Sequence, residues 1–267
     1  LMVGKGNVLT KVGDGLTIGV MLGMGNIFTH VGTGTTLALM AATGNVFTKV
    51  GDGITVAAML GQGNIFTHVG DGTTGAVMLG QANIFTKVGD GISLAVMLSS
   101  SGGSIFTHVG NGISGALMFG GQANIFTKVG NGLTVAAMIG GRANIFTHVG
   151  SGTSIALMMG ANANIFTKVG DGLTLAFMQG DANIMTHVGD GLTVALAIGK
   201  ANIITKVGND ELAVGLYGKA NIVTHVSTEK SNTYTLVKGN LNVITKVGPM
   251  DGFTVTVSPM DGIVSDP

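Results

Sequence analysis

The chain contains no cysteine and no tryptophan, and it has only three prolines in 267 residues. The absence of cysteine excludes a disulfide framework, a thiolate zinc site and a cysteine nucleophile. Charged residues make up 10% of the chain, against roughly 25% in an ordinary soluble domain. The 13 basic and 13 acidic residues cancel, so the chain has no electrostatic footprint for nucleic acid. No apolar run approaches the ~20 residues of a transmembrane helix.

Glycine, in contrast, is abundant, with 47 residues spread along the chain. The stretch Ala82–Gly91, which reads ANIFTKVGDG, recurs in exact or altered form from one end of the sequence to the other. The first residues lack the pattern of a signal peptide and are interpreted as the tail of a preceding unit. The threonine of the recurring stretch, Thr86, has copies spaced by 19 to 21 residues, which indicates a repeat array. They are Thr10, Thr29, Thr48, Thr67, Thr86, Thr107, Thr127, Thr147, Thr167, Thr186, Thr205, Thr224 and Thr245.

Each repeat contains two runs typical of β-strands. Residues 83–88 form the first run, Gly89–Asp90–Gly91 supplies a tight turn, and residues 92–98 form the second run. The sequence therefore predicts an all-β fold, an elongated β-solenoid of about thirteen 19–21-residue rungs. The alternative is an antiparallel hairpin array or barrel, with the lysines and histidines facing a lumen.

Asparagine opens the first run in twelve of the thirteen repeats, and Ser104 is the exception. An amide at a fixed position suggests a ladder in which each side chain bonds to its copies above and below. Antiparallel hairpins would separate the copies by roughly 9.6 Å, which is too far for contact. This position favours the solenoid over the hairpin array.

The regularity of the repeats changes along the chain. We expect residues 1–226 to form a regular β repeat array and residues 227–267 to form degenerate final repeats and a cap. The Asp-Gly corner is lost in the last repeats, and the segments 248–252 and 258–262 each contain a proline. Prolines and charges are typical of a segment that closes an open sheet edge.

The alternation of residues also predicts an inside and an outside. With Ile84, Val88, Leu94 and Val96 inside, the phenylalanine and methionine columns face outward as exposed apolar stripes. Such stripes mark a membrane or a partner, or they are covered by neighbouring segments of a longer chain, and self-association is possible. The membrane- or partner-facing candidates are Phe28, Phe47, Phe66, Phe85, Phe106, Phe126, Phe146, Phe166, Met59, Met78 and Met97.

A lysine or a histidine follows each of these threonines, in strict alternation. Either histidine dilutes a lysine column that would repel itself, with one repeat per coil, or each coil holds two repeats; the first is favoured. The histidines are expected to face solvent, where they could sense pH: His30, His68, His108, His148, His187 and His225. Successive histidines would lie ~9.6 Å apart, which is too far to share a metal ion, so no metal site is expected.

No residue stands out as catalytic among so many copies, and no enzyme activity or cofactor is expected. The corner aspartates are replaced by Asn111, Ser151 or Thr33 in other repeats, which suits a turn residue better than a catalytic acid. The chain has neither a phosphate-binding Gly-x-x-x-x-Gly-Lys-Ser/Thr loop nor the calcium-binding Gly-Gly-x-Gly-x-Asp nonapeptide.

The copies of Asn-Ile-Phe-Thr-Lys-Val-Gly-Asp-Gly and Asn-Ile-Phe-Thr-His-Val-Gly resemble the Thr-x-Val-Gly-x-Gly repeats of multifunctional-autoprocessing RTX toxins, from about Asn7 to Gly248. The resemblance implies a repeat arm of a large protein secreted by Gram-negative bacteria. In that family the arms are thought to engage the host cell membrane and to help translocate effector domains. The expected partners are thus the host membrane or neighbouring toxin segments. The alternative is a purely structural spacer or stalk.

Overall fold

The computed structural model describes residues 1–257 and 263–265. Within these residues every regular element is a β-strand, and no helix is present. The chain divides into two compact units, residues 1–130 and residues 131–267. Each unit is a stack of parallel coils.

In the first unit, a strand pairs in parallel with the strand one repeat further along the chain. Phe66 lies opposite Phe85, and His68 lies opposite Lys87. This register shows one repeat per coil, so the favoured interpretation of the lysine–histidine alternation is confirmed. The strands are β1 (Met2–Val12), β2 (Thr17–Val31), β3 (Thr36–Val50), β4 (Gly53–Val69), β5 (Gly72–Val88), β6 (Gly91–Ser99), β7 (Gly103–Val109), β8 (Gly112–Gly120) and β9 (Ala123–Val129).

The second unit repeats this arrangement. Asn164 lies opposite Asn183, and Asn183 lies opposite Asn202, again one repeat apart. Its strands are β10 (Thr134–Ile139), β11 (Ala143–Val149), β12 (Ser154–Val169), β13 (Thr174–Val188), β14 (Thr193–Ile198), β15 (Ala201–Val207), β16 (Leu212–Tyr217), β17 (Ala220–Val226), β18 (Ser231–Lys238), β19 (Leu241–Val247), β20 (Met250–Asp251), β21 (Thr254–Val257) and β22 (Ile263–Ser265). The predicted cap segment 258–262 lies outside the described residues, and the predicted boundary at residue 226 stays a prediction.

The fold is a parallel β-solenoid of about thirteen coils, as the sequence predicts. All strand pairs described within the two units are parallel, so the alternative of an antiparallel hairpin array or barrel is wrong. The first runs form one layer and the second runs form another. The layers face each other, because a Cβ atom on Gly19 of a second run would lie 3.1 Å from the ring of Phe28 in a first run.

The corner between the two runs is built from glycine and aspartate. Gly89 and Gly91 have φ angles of 122° and 117°, which side chains rarely adopt, and a Cβ atom on Gly91 would overlap the carbonyl group of Gly72 below it. Asp71 Oδ1 accepts a hydrogen bond of 2.8 Å from the backbone N–H of Asp90 in the next coil. The aspartates are therefore turn residues that join successive coils.

A ladder of asparagine amides runs through each unit, as predicted. Asn45 Nδ2 donates to Asn64 Oδ1, and Asn64 Nδ2 donates to Asn83 Oδ1, both at 2.8 Å. Each step of the ladder is buried, and Asn64 Nδ2 also donates to the carbonyl oxygen of Leu79. Because each amide is both donor and acceptor, identical copies satisfy one another at the coil spacing of ~4.8 Å.

We expect Asn64→Ala to destabilise the chain by about 2 kcal/mol or more. The change removes an acceptor from Asn45 and a donor from Asn83, and it leaves both groups buried. Urea unfolding monitored by circular dichroism measures the loss. Asn240→Ala is the control, because Asn240 is exposed and the change should stay within about 0.5 kcal/mol. Equal effects of the two variants would contradict a role for the buried ladder.

Candidate functional site

The phenylalanine column lies inside the solenoid, so the prediction that it faces a membrane or partner is wrong. Phe85 has no exposed surface, and its ring stacks on Phe66 and Phe106 with centroids 4.9 and 4.8 Å apart. All eight candidates are fully buried in this way: Phe28, Phe47, Phe66, Phe85, Phe106, Phe126, Phe146 and Phe166. The stacking explains the burial, because one flat ring per coil fills the space between the two layers.

The methionine candidates are buried for the same reason. Met59, Met78 and Met97 have no exposed surface, and they face the interior from the second run together with alanines such as Ala95. The predicted interior residues lie outside instead. Val88 is 39% exposed and Leu94 is 51% exposed. The inside and the outside are therefore exchanged relative to the prediction.

We expect Phe85→Ala to cost about 3–5 kcal/mol of unfolding free energy, because it opens a cavity in a continuous stack. Val88→Ala in the same coil should cost less than about 1 kcal/mol, since much of this side chain already contacts water. Urea unfolding of the two variants compares them directly. A larger cost for Val88→Ala would be incompatible with the observed faces.

The histidines are also buried, which contradicts the expectation that they face solvent. In His68, Nδ1 is hydrogen-bonded to Thr74 Oγ1 at 2.5 Å and Nε2 to the carbonyl oxygen of Gly51 at 3.0 Å. A carbonyl oxygen only accepts, so Nε2 carries the proton and Nδ1 of the neutral ring accepts from the hydroxyl group. His187 has the equivalent partners Thr193 and Gly170. The neutral ring is thus fully hydrogen-bonded.

Burial lowers the pKa of His68, His108, His187 and His225 to about 4. The carbonyl hydrogen bond opposes this shift, whereas the lysines of the adjacent coils add to it. These four rings are therefore uncharged at pH 7.

The lysines that alternate with the histidines also point inward, at the corner between the runs. Lys206 Nζ donates to the carbonyl oxygen of Gly191 at 2.6 Å, and Lys128 Nζ donates to that of Gly110. Burial lowers the pKa of Lys128 and Lys168 to about 8, although the aspartates Asp90 and Asp171 of the corners act in the opposite direction. The outer corner aspartates thus offset part of the cost of the buried ammonium groups.

Acid should destabilise the chain through the histidines. The folded pKa of about 4 for His68, His108, His187 and His225 lies below the unfolded value of 6.5, so the unfolded state binds protons first. The contribution of these four histidines to stability is complete above pH 6.5 and is lost as pH falls towards 4. At pH 5 the loss is on the order of 2 kcal/mol for each of His68, His108, His187 and His225.

Urea unfolding at pH 7.5 and pH 5 measures this loss, and NMR titration of the histidine rings measures the pKa values in the intact chain. His68→Gln should flatten the pH dependence by one such increment, and the exposed Lys5→Gln should leave it unchanged. Ring pKa values near 6.5 for His68, His108, His187 and His225 in the folded chain would disprove the prediction. A role of these histidines as a pH sensor at a membrane stays a prediction.

The outer faces carry the residues that the sequence interpretation missed. In the first unit, the outward side chains of the second runs are almost entirely aliphatic, and none of them is charged. The exposed members of this face include Leu16, Ile18, Leu22, Leu37, Leu39, Ile54, Val56, Leu60, Val77, Leu79, Ile92, Leu94, Leu98 and Ile113. We call this surface the aliphatic face. The sequence does contain a signal for this arrangement. Asn83, Phe85 and Lys87 alternate along the strand and so lie on the same side of it, and a buried amide ladder therefore places all three inside.

The first runs of the same unit present a second outer surface. Thr86 stands between Ile84 and Val88, and each coil repeats this order of an aliphatic residue, threonine and valine. The exposed charged side chains of the unit are Lys5 and the corner aspartates Asp14, Asp52, Asp71 and Asp90. Both broad faces of the unit therefore consist of uncharged side chains, and the acidic groups line one corner.

A protein-family model, described as the RtxA repeat, matches eleven segments that together cover more than half of the chain. The matched segments are 2–19, 21–38, 40–57, 59–74, 78–95, 120–136, 140–156, 159–176, 178–195, 197–213 and 218–230. The chain belongs to the RtxA repeat family. RtxA repeats are typical of secreted RTX toxins, and repeats and solenoids of this kind are typically structural. The chain matches no curated protein and no solved structure.

Two further observations bear on the chemistry of this RtxA repeat region. Within residues 1–257 and 263–265, no three histidine, cysteine, aspartate or glutamate side chains are grouped so that they could hold a metal ion. The same residues contain no helix of the length and hydropathy needed to cross a bilayer.

Proposed function

We propose that this chain is a non-enzymatic repeat arm of a secreted toxin of the multifunctional-autoprocessing RTX class. Its outer faces engage the host cell membrane and assist the translocation of effector domains carried elsewhere in the toxin. The observation that carries the proposal is the aliphatic face of the first unit, where Val56 is 45% exposed and Leu94 is 51% exposed. The RtxA repeat match supports the toxin class.

The size of the aliphatic face supports contact with a large partner. Four outward residues in each second run span about 20 Å, and six coils at ~4.8 Å span about 24–29 Å. The face is thus on the order of 500 Å², comparable to the largest apolar patches on monomeric proteins, which are often functional. The first-run face of the same unit adds a second uncharged surface. Two such surfaces suit a partner that can deform around them, as lipid does.

The distribution of charge also suits a lipid surface. The exposed aspartates of the first unit, such as Asp52 and Asp71, lie along the corner, whereas Lys49 and Lys87 are buried. A broad face can therefore enter the interfacial region of a bilayer without desolvating a charge, while the corner stays in water. Because the coils are in register, each outward position repeats at the coil spacing of ~4.8 Å, and the face presents a regular surface.

We expect the chain to bind phosphatidylcholine vesicles, and Val56→Glu with Leu94→Glu to weaken this binding about tenfold or more. Each glutamate places a charge where the bilayer would have to desolvate it. Both positions are exposed, so the fold should accept the changes. Vesicle co-sedimentation measures binding, and circular dichroism confirms the fold.

The matched control is Thr33→Asp with Asn111→Asp. It adds the same two negative charges at the corner, where the neighbouring coils carry Asp14 and Asp90. This control should bind vesicles about as well as the unchanged chain. A chain that binds no vesicles would contradict the proposal and favour the structural spacer. Binding that both variants weaken equally would show an effect of net charge and not of the aliphatic face. Sedimentation velocity without lipid tests whether a second copy of the chain binds the aliphatic face instead.

A further inference from the structure

We propose that an apolar groove on the outer face of the second unit binds one acyl chain of an anionic lipid, with the headgroup between Lys219 and Lys238. The proposal deepens the proposed function and rests on it, because it names the lipid class for one surface of the arm. The groove runs along β16, with Ala213 and Gly215 as its floor.

The groove exists because one coil lacks large outward side chains. Gly215 lies between Leu196 of the preceding coil and Leu236 of the following coil. Ala213 lies in the same way between Val194 and a tyrosine. The two walls are two coil steps apart, ~9.6 Å between backbones, which leaves room for one hydrocarbon chain between the side chains.

The wall on the C-terminal side is aromatic and exposed. Tyr234 and Phe253 contact each other with ring centroids 5.3 Å apart and planes tilted by 59°. Leu236, beside them, is 56% exposed. The described residues that line the groove include no charged side chain. Aromatic and aliphatic walls around an uncharged floor favour an apolar guest.

One end of the groove is basic. Tyr217 follows the floor along the strand, and Lys238 Nζ lies 5.4 Å from the centre of the Tyr217 ring. Lys219 is exposed two residues beyond this tyrosine. In the part of the chain that the structure describes, an aspartate pairs with Lys200, but no carboxylate lies within ion-pair distance of Lys219 or Lys238.

The opposite end of the groove has the opposite character. Glu211 precedes the floor, and Asp251 there is paired with Lys230 at 2.8 Å. An amphiphile with an anionic head and an apolar tail therefore fits in one direction only, with its head at the lysine end. A polybasic surface near lipid favours anionic headgroups by about 1 kcal/mol for each lysine, which is about a fivefold gain in affinity.

The chain itself supplies the reporter for this groove. Tyr217 and Tyr234 are the only two tyrosines, and the chain has no tryptophan. Tyr217→Phe leaves Tyr234, in the groove wall, as the single fluorophore. Vesicles of equal parts phosphatidylcholine and phosphatidylserine, with bromine on the acyl chains of one lipid at a time, then report which lipid contacts Tyr234. We expect stronger quenching from brominated phosphatidylserine than from brominated phosphatidylcholine.

Three variants in the Tyr217→Phe background test the geometry. Gly215→Leu fills the groove. Its Cβ atom would lie 3.0 Å from Leu196 Cδ1, the end of a flexible side chain that can rotate away, and leucines occupy the adjacent coils at this position, so the fold should accept the change. It should abolish the preferential quenching. Gly75→Leu, at an outward glycine of the first unit, should leave the quenching unchanged. Lys219→Gln should lower the preference for phosphatidylserine about fivefold, and Lys230→Gln at the other end should not.

Equal quenching by the two brominated lipids, or quenching that survives Gly215→Leu, would overturn the groove proposal. Loss of all vesicle binding would instead contradict the proposed function. In that case the groove is tested with monomeric dodecyl phosphate below its critical micelle concentration. Dodecylphosphocholine serves as the zwitterionic comparison. The first should change Tyr234 fluorescence at lower concentration than the second, and Gly215→Leu should remove the difference. No difference between the two amphiphiles would also overturn the groove proposal.

Discussion

The contact of each side chain with its own copy, one coil away, is the constraint on which the rest of this structure depends. Parallel coils in exact register place Asn on Asn and Phe on Phe at a spacing of ~4.8 Å. Only certain residues tolerate their own copies inside a protein. An amide does so because it both donates and accepts, and a phenyl ring does so because it stacks. The interior therefore consists of a few residue types repeated along the stack.

Lysine is the interior residue least compatible with contact with its own copy, and this incompatibility explains its alternation with histidine. Two buried ammonium groups in adjacent coils would repel each other in a medium of low dielectric constant. A neutral histidine between them, such as His108 between Lys87 and Lys128, separates the charges by two coils, and its Nδ1 atom lies 3.3 Å from Lys128 Nζ. The same histidine donates to a corner glycine and is bonded to Ser114. Charge dilution thus explains the alternation, but in the interior and not on a solvent-facing column.

The sequence was sufficient to predict the period, the parallel solenoid and the asparagine ladder, because these depend on the spacing and identity of the repeated residues. It favoured one repeat per coil without excluding two. It was misleading about the inside, because both sides of each strand are rich in apolar residues. Burial would stabilise the fold by similar amounts on either side, with Phe85 and Met97 on one face and Val88 and Leu94 on the other. Hydrophobicity could not decide between the two sides, and the expectation that the histidines face solvent agreed with the wrong one. The decisive clue was polar: a ladder of amides at the position of Asn83 is stable only where water is excluded.

The separation of the two sides also explains how the repeat region can vary its surface. Inward side chains determine whether the coils stack, so the asparagine column changes only at Ser104. Outward side chains take no part in the ladders, and they range from valine to glycine, tyrosine and lysine without altering the register. The first unit uses this freedom to present uncharged aliphatic faces, and the second unit uses it to place Gly215 beside Tyr234 and two lysines. The exposed side chains can therefore change along an RtxA repeat array while the fold that carries them stays the same.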